Sequence, residues 1–305
     1  MGTPDPAAKC LKTLIEAGEN ITAVFTQPDR PKGRGLKLTP SPVKNVAELN
    51  KIEVHTPEKI KDKDVIDLVR ILSPDIIIIV AYGKILPKEI LTIPKYGTIN
   101  VHASLLPKYR GAAPVQWSIL NGDADTGVTI MKVIEKLDAG DIISQASVPI
   151  LQNDNTATLT DKIFNLGAGL LVRSVSEIKS GKVKYTAQDE RLVSYAPALQ
   201  KEMGAIDWKK SSKDICNQIR GLNPWPVAYT YYNGKILRIF SVEIALAAEK
   251  KGPGTVIDIS EKGFTVATGD GAVSIREVQI ESGKKMRTDK FLAGHKMKIG
   301  DVLPN

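Results

Sequence analysis

Cysteine is nearly absent: two residues in 305, Cys10 and Cys216, far apart and with no histidine at ligand spacing. That excludes a disulfide framework and a zinc cluster, and both thiols read as small core residues. Long hydrophobic runs are missing as well. Ile76 to Ala81 is far too short to span a membrane, and Met1 to Lys9 has neither a signal-peptide core nor an Arg-rich amphipathic leader, so a soluble cytoplasmic protein is expected. No strand is followed by Gly-x-Gly-x-x-Gly; Gly33-x-Gly35 follows a Pro-rich stretch and opens no helix, which argues against a nucleotide-dependent oxidoreductase. There is no internal repeat and no low-complexity tract. Acidic residues are outnumbered 34 to 42 by Lys and Arg, a formal charge of +8 that favours contact with polyanions.

The length and a 42% hydrophobic content suit two ordinary cores. Residues 5 to 180 alternate helical and strand patterns, the grammar of a parallel sheet flanked by helices. Ala8, Leu11, Leu14 and Ile15 recur at helical spacing until Gly18, and Ile21 to Thr26 reads as a strand. Ser41 before Pro42 predicts a capped helix whose buried stripe is Val43, Val46, Ala47 and Leu49. Asp75 to Ala81 reads as a buried strand and Thr158 to Lys179 as a helix stopped by Gly181. A catalytic domain over 1–181 is therefore expected. Residues 182–206 lose any clear period and read as a linker packed on the surface. From 207 to 305 the pattern changes: a helix over Ser211 to Leu222, then short strands at Ala228 to Tyr232, Lys235 to Ile244, Gly254 to Ile259, Gly263 to Thr268 and Ala272 to Ile280, spaced as in a small β-barrel.

The chemistry points to Thr98 to Ala103. Side chains two apart on a strand share a face, so the Asn100 amide and the His102 imidazole point together. An imidazole can pass a proton near neutral pH and an amide can hold an oxygen that gains charge, a pair suited to attack on a carbonyl. Spacing alone leaves a plainer option open, in which both are polar residues at a strand end satisfied by backbone. Asp138, before the flexible Gly140, offers a carboxylate to orient the histidine. His55 and His295 have no partner pattern. Arg110 either binds an anion or braces its turn.

A second feature is basic. Arg30, Lys32, Arg34, Lys37 and Lys44 follow one another with no acid after Asp29, broken by Pro31, Gly33, Gly35, Pro40 and Pro42, which predicts an exposed loop rather than a helix or strand. Such a loop either follows a phosphate backbone or is simply solvated. Residues 207–305 carry sixteen Lys and Arg against eleven acids, so basic surfaces are expected on either side of the catalytic cleft.

The longer pattern Asn-x-His-x-Ser-Leu-Leu-Pro-x-Tyr-Arg-Gly over 100–111, followed by Leu-Asp-x-Gly-Asp-Ile over 137–142, resembles the folate-dependent formyltransferases. Thr-Gln-Pro-Asp-Arg-Pro-Lys-Gly-Arg-Gly over 26–35, ending in Ser41-Pro42-Val43-Lys44, is similar to the branch that acts on aminoacylated initiator tRNA. The resemblance implies a Rossmann-like parallel sheet followed by an oligonucleotide-binding-like β-barrel that binds tRNA. It implies transfer of a formyl group from 10-formyltetrahydrofolate to the α-amine of methionine on initiator tRNA, by a monomer and with no metal. Asn100, His102 and Asp138 are the implied catalytic residues. Ser104, Leu105, Leu106 and Pro107 would contact the folate, with Ile85, Leu86 and Pro87 as an apolar wall for its pterin. Arg30, Lys32, Arg34, Lys37 and Lys44 would meet the tRNA, Arg34 at the top of the acceptor stem, and Lys201 also matches a position near the substrate. One departure stands out. Gly2-Thr3-Pro4 follows Met1 directly where the family has a short apolar strand, so a central strand is expected to be missing, leaving its neighbours with unpaired backbone groups. The nearest alternatives are a formyltransferase for a small amine, such as glycinamide ribonucleotide or an amino sugar, and a non-catalytic RNA-binding module.

Overall fold

The computed structural model describes residues 1–32, 37–246, 251–261 and 263–304. The chain divides into two compact units: Met1–Gly111, Thr126–Val148 and Thr160–Ala196 form one, and Ala112–Asp125, Pro149–Leu159 and Pro197–Asn305 the other.

The first unit begins with α1 (Asp5–Glu16), whose Ala7, Cys10, Leu11 and Leu14 are buried. There follow β1 (Val24–Phe25), β2 (Arg30–Lys32), β3 (Lys37–Thr39), α2 (Pro42–Leu49), β4 (Val54–His55), α3 (Lys63–Leu72), β5 (Ile77–Ile79), α4 (Lys88–Leu91), β6 (Thr98–His102) and β7 (Arg110–Gly111). Helix α2 starts as the sequence predicts: the Ser41 hydroxyl accepts a hydrogen bond from the Lys44 backbone N–H, satisfying one of the unpaired donors of the first turn. Val43 and Ala47, four apart, are its buried face, but Leu49 is 84% exposed; two positions beyond Ala47 places it about 200° round the helix, on the solvent side. The basic stretch expected as an irregular loop instead pairs β2 with β3 in an antiparallel hairpin, Arg30 opposite Thr39 and Lys32 opposite Lys37. An isolated two-strand edge tolerates Pro31 because no further strand needs its missing N–H.

The sheet is in two parts. β1 pairs in parallel with β4, while β5, β6, β8 (Asp125–Lys132) and β9 (Ile142–Pro149) follow one another in a four-stranded sheet. β5 and β6 are parallel and β6 and β8 antiparallel, so the parallel arrangement ends at β8. Met1 and Gly2 lie between the two parts: the Gly2 N–H donates to the Phe25 carbonyl, the Val80 N–H to the Met1 carbonyl, and Gly2 bridges Val80 in parallel. Beside them is a cavity of about 570 Å³, lined by Val24 and Phe25 of one part and Ile77 and Ile78 of the other. Helix α6 (Thr156–Lys179) buries Ile163, Leu171 and Val175 along one stripe, and β10 (Tyr195–Ala196) pairs with β7. The stretch expected as a linker thus contributes a strand to the first unit, and the boundary between units falls inside it.

The second unit contains α5 (Pro114–Leu120), α7 (Ser212–Gly221), β11 (Ala228–Tyr232), β12 (Lys235–Ala245), β13 (Val256–Ser260), β14 (Gly263–Ala267), β15 (Ala272–Ile280), β16 (Met286–Arg287) and α8 (Thr288–Gly294). Ser211 caps α7 through the Asp214 N–H, and Ile215, Ile219 and Leu222 are fully buried. The strands run antiparallel in the order β11, β12, β15, β14, β13, with β16 on β15 and register shifts in β12 that bend the sheet. Trp208, Phe264, Ile275 and Phe291 centre its core, where Cys216 also packs, and His295 stacks on Phe291. Both cysteines are free and buried, as small core residues, and burial pushes their thiols up to about 12 for Cys10 and about 11 for Cys216.

Candidate active site

His102 closes β6 at its carboxyl end, where open α/β sheets carry their ligands. It shares a strand face with Asn100. The imidazole is 5% exposed, and its Nε2 lies 2.9 Å from the Tyr109 carbonyl, which can only accept; Nε2 therefore carries a hydrogen and donates it. That bond fixes the tautomer and the ring plane and leaves Nδ1 facing Asp138, whose Oδ2 is 3.7 Å away. The Asn100 amide is half-buried and has no hydrogen-bond partner among the described residues.

The turn after β6 is tied down by residues that sequence reasoning did not single out. Thr129, fully buried and opposite His102 in β8, donates its hydroxyl to the Ser104 carbonyl at 2.6 Å and accepts from the Leu106 N–H at 3.1 Å. Gln145 Nε2 donates to both Thr129 Oγ1 and the Leu106 carbonyl at 2.9 Å. The Ser104 hydroxyl donates inward to the Lys108 carbonyl, and Ser194 accepts from the Tyr109 N–H. Of the residues expected against folate, Ser104, Leu106 and Leu86 are buried, whereas Ile85 is 77% exposed and Leu105 and Pro107 are partly so. Since β5 and β6 are parallel neighbours, the segments that leave them, carrying Ile85 and Ser104 to Pro107, emerge at the same end of the sheet.

Asp138 arrives from the loop after β8 with φ of +46°. Its Oδ2 accepts from the Gly111 N–H at 2.9 Å. Gly111 must be glycine here: its φ is +123°, and a Cβ would sit 2.7 Å from the Ala196 carbonyl oxygen on β10. Gly140, two beyond the aspartate, passes so close to β8 that a Cβ would lie 1.8 Å from the Lys132 carbonyl oxygen. Arg110 is fully buried and braces this corner. Its Nε and Nη2 donate to Gln188 Oε1, and Nη2 also to Glu190 Oε1 at 2.9 Å. The Arg110 guanidinium, together with Lys136, holds the Glu190 carboxyl down at about 2.

The basic residues fare differently. Arg30 and Lys201 are exposed. Lys44 sits in α2 and is paired with Asp29 at 2.8 Å, which holds its ammonium above the usual range. Lys32 and Lys37 lie on β2 and β3. Arg34 lies outside the described residues. Among the described residues no three His, Cys, Asp or Glu side chains gather to hold a metal ion.

Residues 1–175, including Asn100, His102 and Asp138, match the model of the formyl transferase family. The chain belongs to that family. A second model, the formyl transferase C-terminal domain, matches residues 198–296. This formyl transferase is 49% identical over 304 residues to a methionyl-tRNA formyltransferase of Bacillus velezensis, covering 99% of this chain and 96% of the relative. It is 47% identical over 304 residues to one of Bacillus subtilis, with the same coverage. Among solved structures it resembles WlaRD, a sugar 3N-formyltransferase, with a TM-score of 0.68 at 22% identity over 93% of this chain and 97% of that one. It also resembles HypX from Aquifex aeolicus in complex with tetrahydrofolic acid, with a TM-score of 0.64 at 18% identity over 94% of this chain and 51% of that one. These two likenesses speak to the fold of the formyl transferase alone.

Proposed function

We propose that this chain transfers the formyl group of 10-formyltetrahydrofolate to the α-amino group of methionine carried on initiator tRNA, in the cytoplasm and as a monomer. The observation that carries the mechanism is the orientation of His102: with Nε2 held by the Tyr109 carbonyl, Nδ1 is the nitrogen left to act at the site, and it faces Asp138. The neutral amine attacks the formyl carbon, forming a C–N bond and driving the carbonyl electron pair onto oxygen. The free Asn100 amide donates to that oxygen, and His102 Nδ1–H, when the ring is protonated, adds a second donor. Asp138 takes the amine proton, directly or through water, and collapse of the intermediate breaks the old C–N bond with a proton returned to the departing nitrogen. The folate is a substrate here; exposed Ile85, with Leu105 and Pro107 at the same end of the sheet, offers apolar surface for its flat ring.

Exposed Arg30 and Lys201, with Lys32 and Lys37 on β2 and β3, are the cations that would meet the tRNA backbone, and Arg34 is the further expected contact. The test is formyl transfer to charged initiator tRNA over a salt series. Counterion release makes a subsaturating rate fall steeply with salt, by ~10³ or more between 50 and 200 mM if about six phosphates are engaged. Equal turnover of a small amine such as an amino sugar, without a salt effect, would overturn the tRNA assignment and leave a small-amine formyltransferase.

A further inference from the structure

We infer that Gln188 is the positioning residue for Asp138, an inference that rests on the formyl-transfer reading above. Both hydrogens of its side-chain amide are used on the loop: Nε2 donates to the Asp138 carbonyl at 2.8 Å and to the Gly140 carbonyl at 2.8 Å, gripping the loop on either side of Ala139. The other end of the amide cannot swap places with this one. Oε1 accepts from Arg110 Nε at 3.1 Å and Nη2 at 2.8 Å, and a flipped amide would set its NH₂ against a guanidinium that has only donors.

Asp138 needs such a grip. Its backbone has φ of +46°, a left-handed conformation that Asp tolerates better than most residues but still holds at a cost, so contacts that fix it select one arrangement of the loop. The carboxylate is fixed through the Gly111 N–H, and the backbone through Gln188, which is itself anchored on the neighbouring Arg110. One two-residue strand, β7, therefore aims both ends of the aspartate at His102. The segment that supplies Gln188 lies between residues matched by the two family models, 1–175 and 198–296, so the connecting stretch belongs to the machinery rather than merely joining two domains.

The test is a double-mutant cycle on the full chain with Gln188→Ala, Asp138→Asn and the pair, assayed with charged initiator tRNA and 10-formyltetrahydrofolate. The Gln188 amide is spent on Arg110 and on the Asp138 and Gly140 carbonyls, so Gln188→Ala should lower kcat by ~10²-fold, the scale of a catalytic group displaced by about 1 Å, while KM for both substrates stays within about twofold. In the Asp138→Asn background the same change should cost less than about twofold, because its effect is routed through the carboxylate. Gln188→Glu separates the two halves of the contact: it keeps an acceptor for Arg110 but turns an oxygen on the two carbonyls, and it should be as slow as Gln188→Ala. Should Gln188→Ala not fold, Gln188→Asn keeps the amide and runs the same cycle with a smaller loss. Multiplicative losses in the cycle, or a rise in KM in place of the fall in kcat, would overturn the inference. A wild-type chain that did not formylate charged tRNA would instead overturn the functional reading, whatever the variants did.

Discussion

Two regions of the molecule, one in each unit, bury different things. The corner around His102 buries polar groups, with Ser104, Arg110 and Thr129 fully enclosed, and each is held by one or more hydrogen bonds of fixed direction. The sheet of the second unit buries hydrocarbon, with Phe264, Val273, Ile275 and Phe291 at 0% exposure. A hydrogen-bonded network has one good arrangement and leaves an unsatisfied group when any member is lost. An apolar core accepts substitutions that conserve volume. The first therefore fixes geometry, the second supplies stability, and the two should fail differently under mutation.

The largest effect is expected in the apolar core. Phe264→Ala should lose about 3–5 kcal/mol of unfolding free energy, whereas Phe264→Leu should lose less than about 1.5. Urea denaturation followed by tryptophan fluorescence reads this, and chemistry per folded molecule should barely change, since no polar group of the corner is touched. Next comes the polar corner. Asn100→Ala should cost about 3 kcal/mol of transition-state stabilisation, a hundredfold or more in kcat, with a urea midpoint near wild type, because the amide has no partner among the described residues to lose. A large fall in stability in Asn100→Ala would erase the contrast between the polar corner and the apolar core.

Gly140→Ala joins the two behaviours. Its Cβ would collide with the Lys132 carbonyl at 1.8 Å, so the backbone must move. A stability loss of about 1–3 kcal/mol is expected, as for overpacking generally, together with a fall in kcat because the same loop carries Asp138. Unaltered kinetics in a folded Gly140→Ala protein would mean that the loop has slack, contrary to the hydrogen bonds that hold it.

How far the sequence could be read divides along similar lines. Whatever depends on local pattern was legible: the Ser41 and Ser211 caps, the buried stripe of α7, the strands of the second unit, and the period of two that sets Asn100 and His102 on one face. Local pattern misjudged Leu49, where an apolar residue lies off the buried stripe, and the β2–β3 hairpin, where Pro and Gly concealed strand pairing. Partners from far along the chain carried no signal. Tyr109 acts through a backbone carbonyl, which any residue has, and Gln188 is fifty positions from the loop it holds, in a stretch without period. Asp138 was offered as an orienting carboxylate from its place before Gly140, and the family motif then singled it out; the Gly111 N–H that holds it gave no signal in the sequence.

The smallest expected effect tests whether the polar corner depends on charge as well as on geometry. Glu190 is more than half exposed, yet Arg110 and then Lys136 hold its carboxyl at about 2, against 4.5 when unperturbed. A carboxylate whose folded value is depressed binds fewer protons folded than unfolded between those two values, so stability rises with pH across that window. Its contribution is fully present above about 4.5 and is lost as pH falls through about 2. Glu190→Gln removes the titrating group. The difference in urea midpoint between wild type and this variant should be constant above about 4.5 and shrink steadily toward about 2. Solvent screening at so exposed a side chain keeps the difference small, and added salt should reduce it further. A difference that persisted unchanged into acid would show that the variant loses hydrogen bonds to buried Arg110 rather than charge attraction, and the corner would then rest on geometry alone.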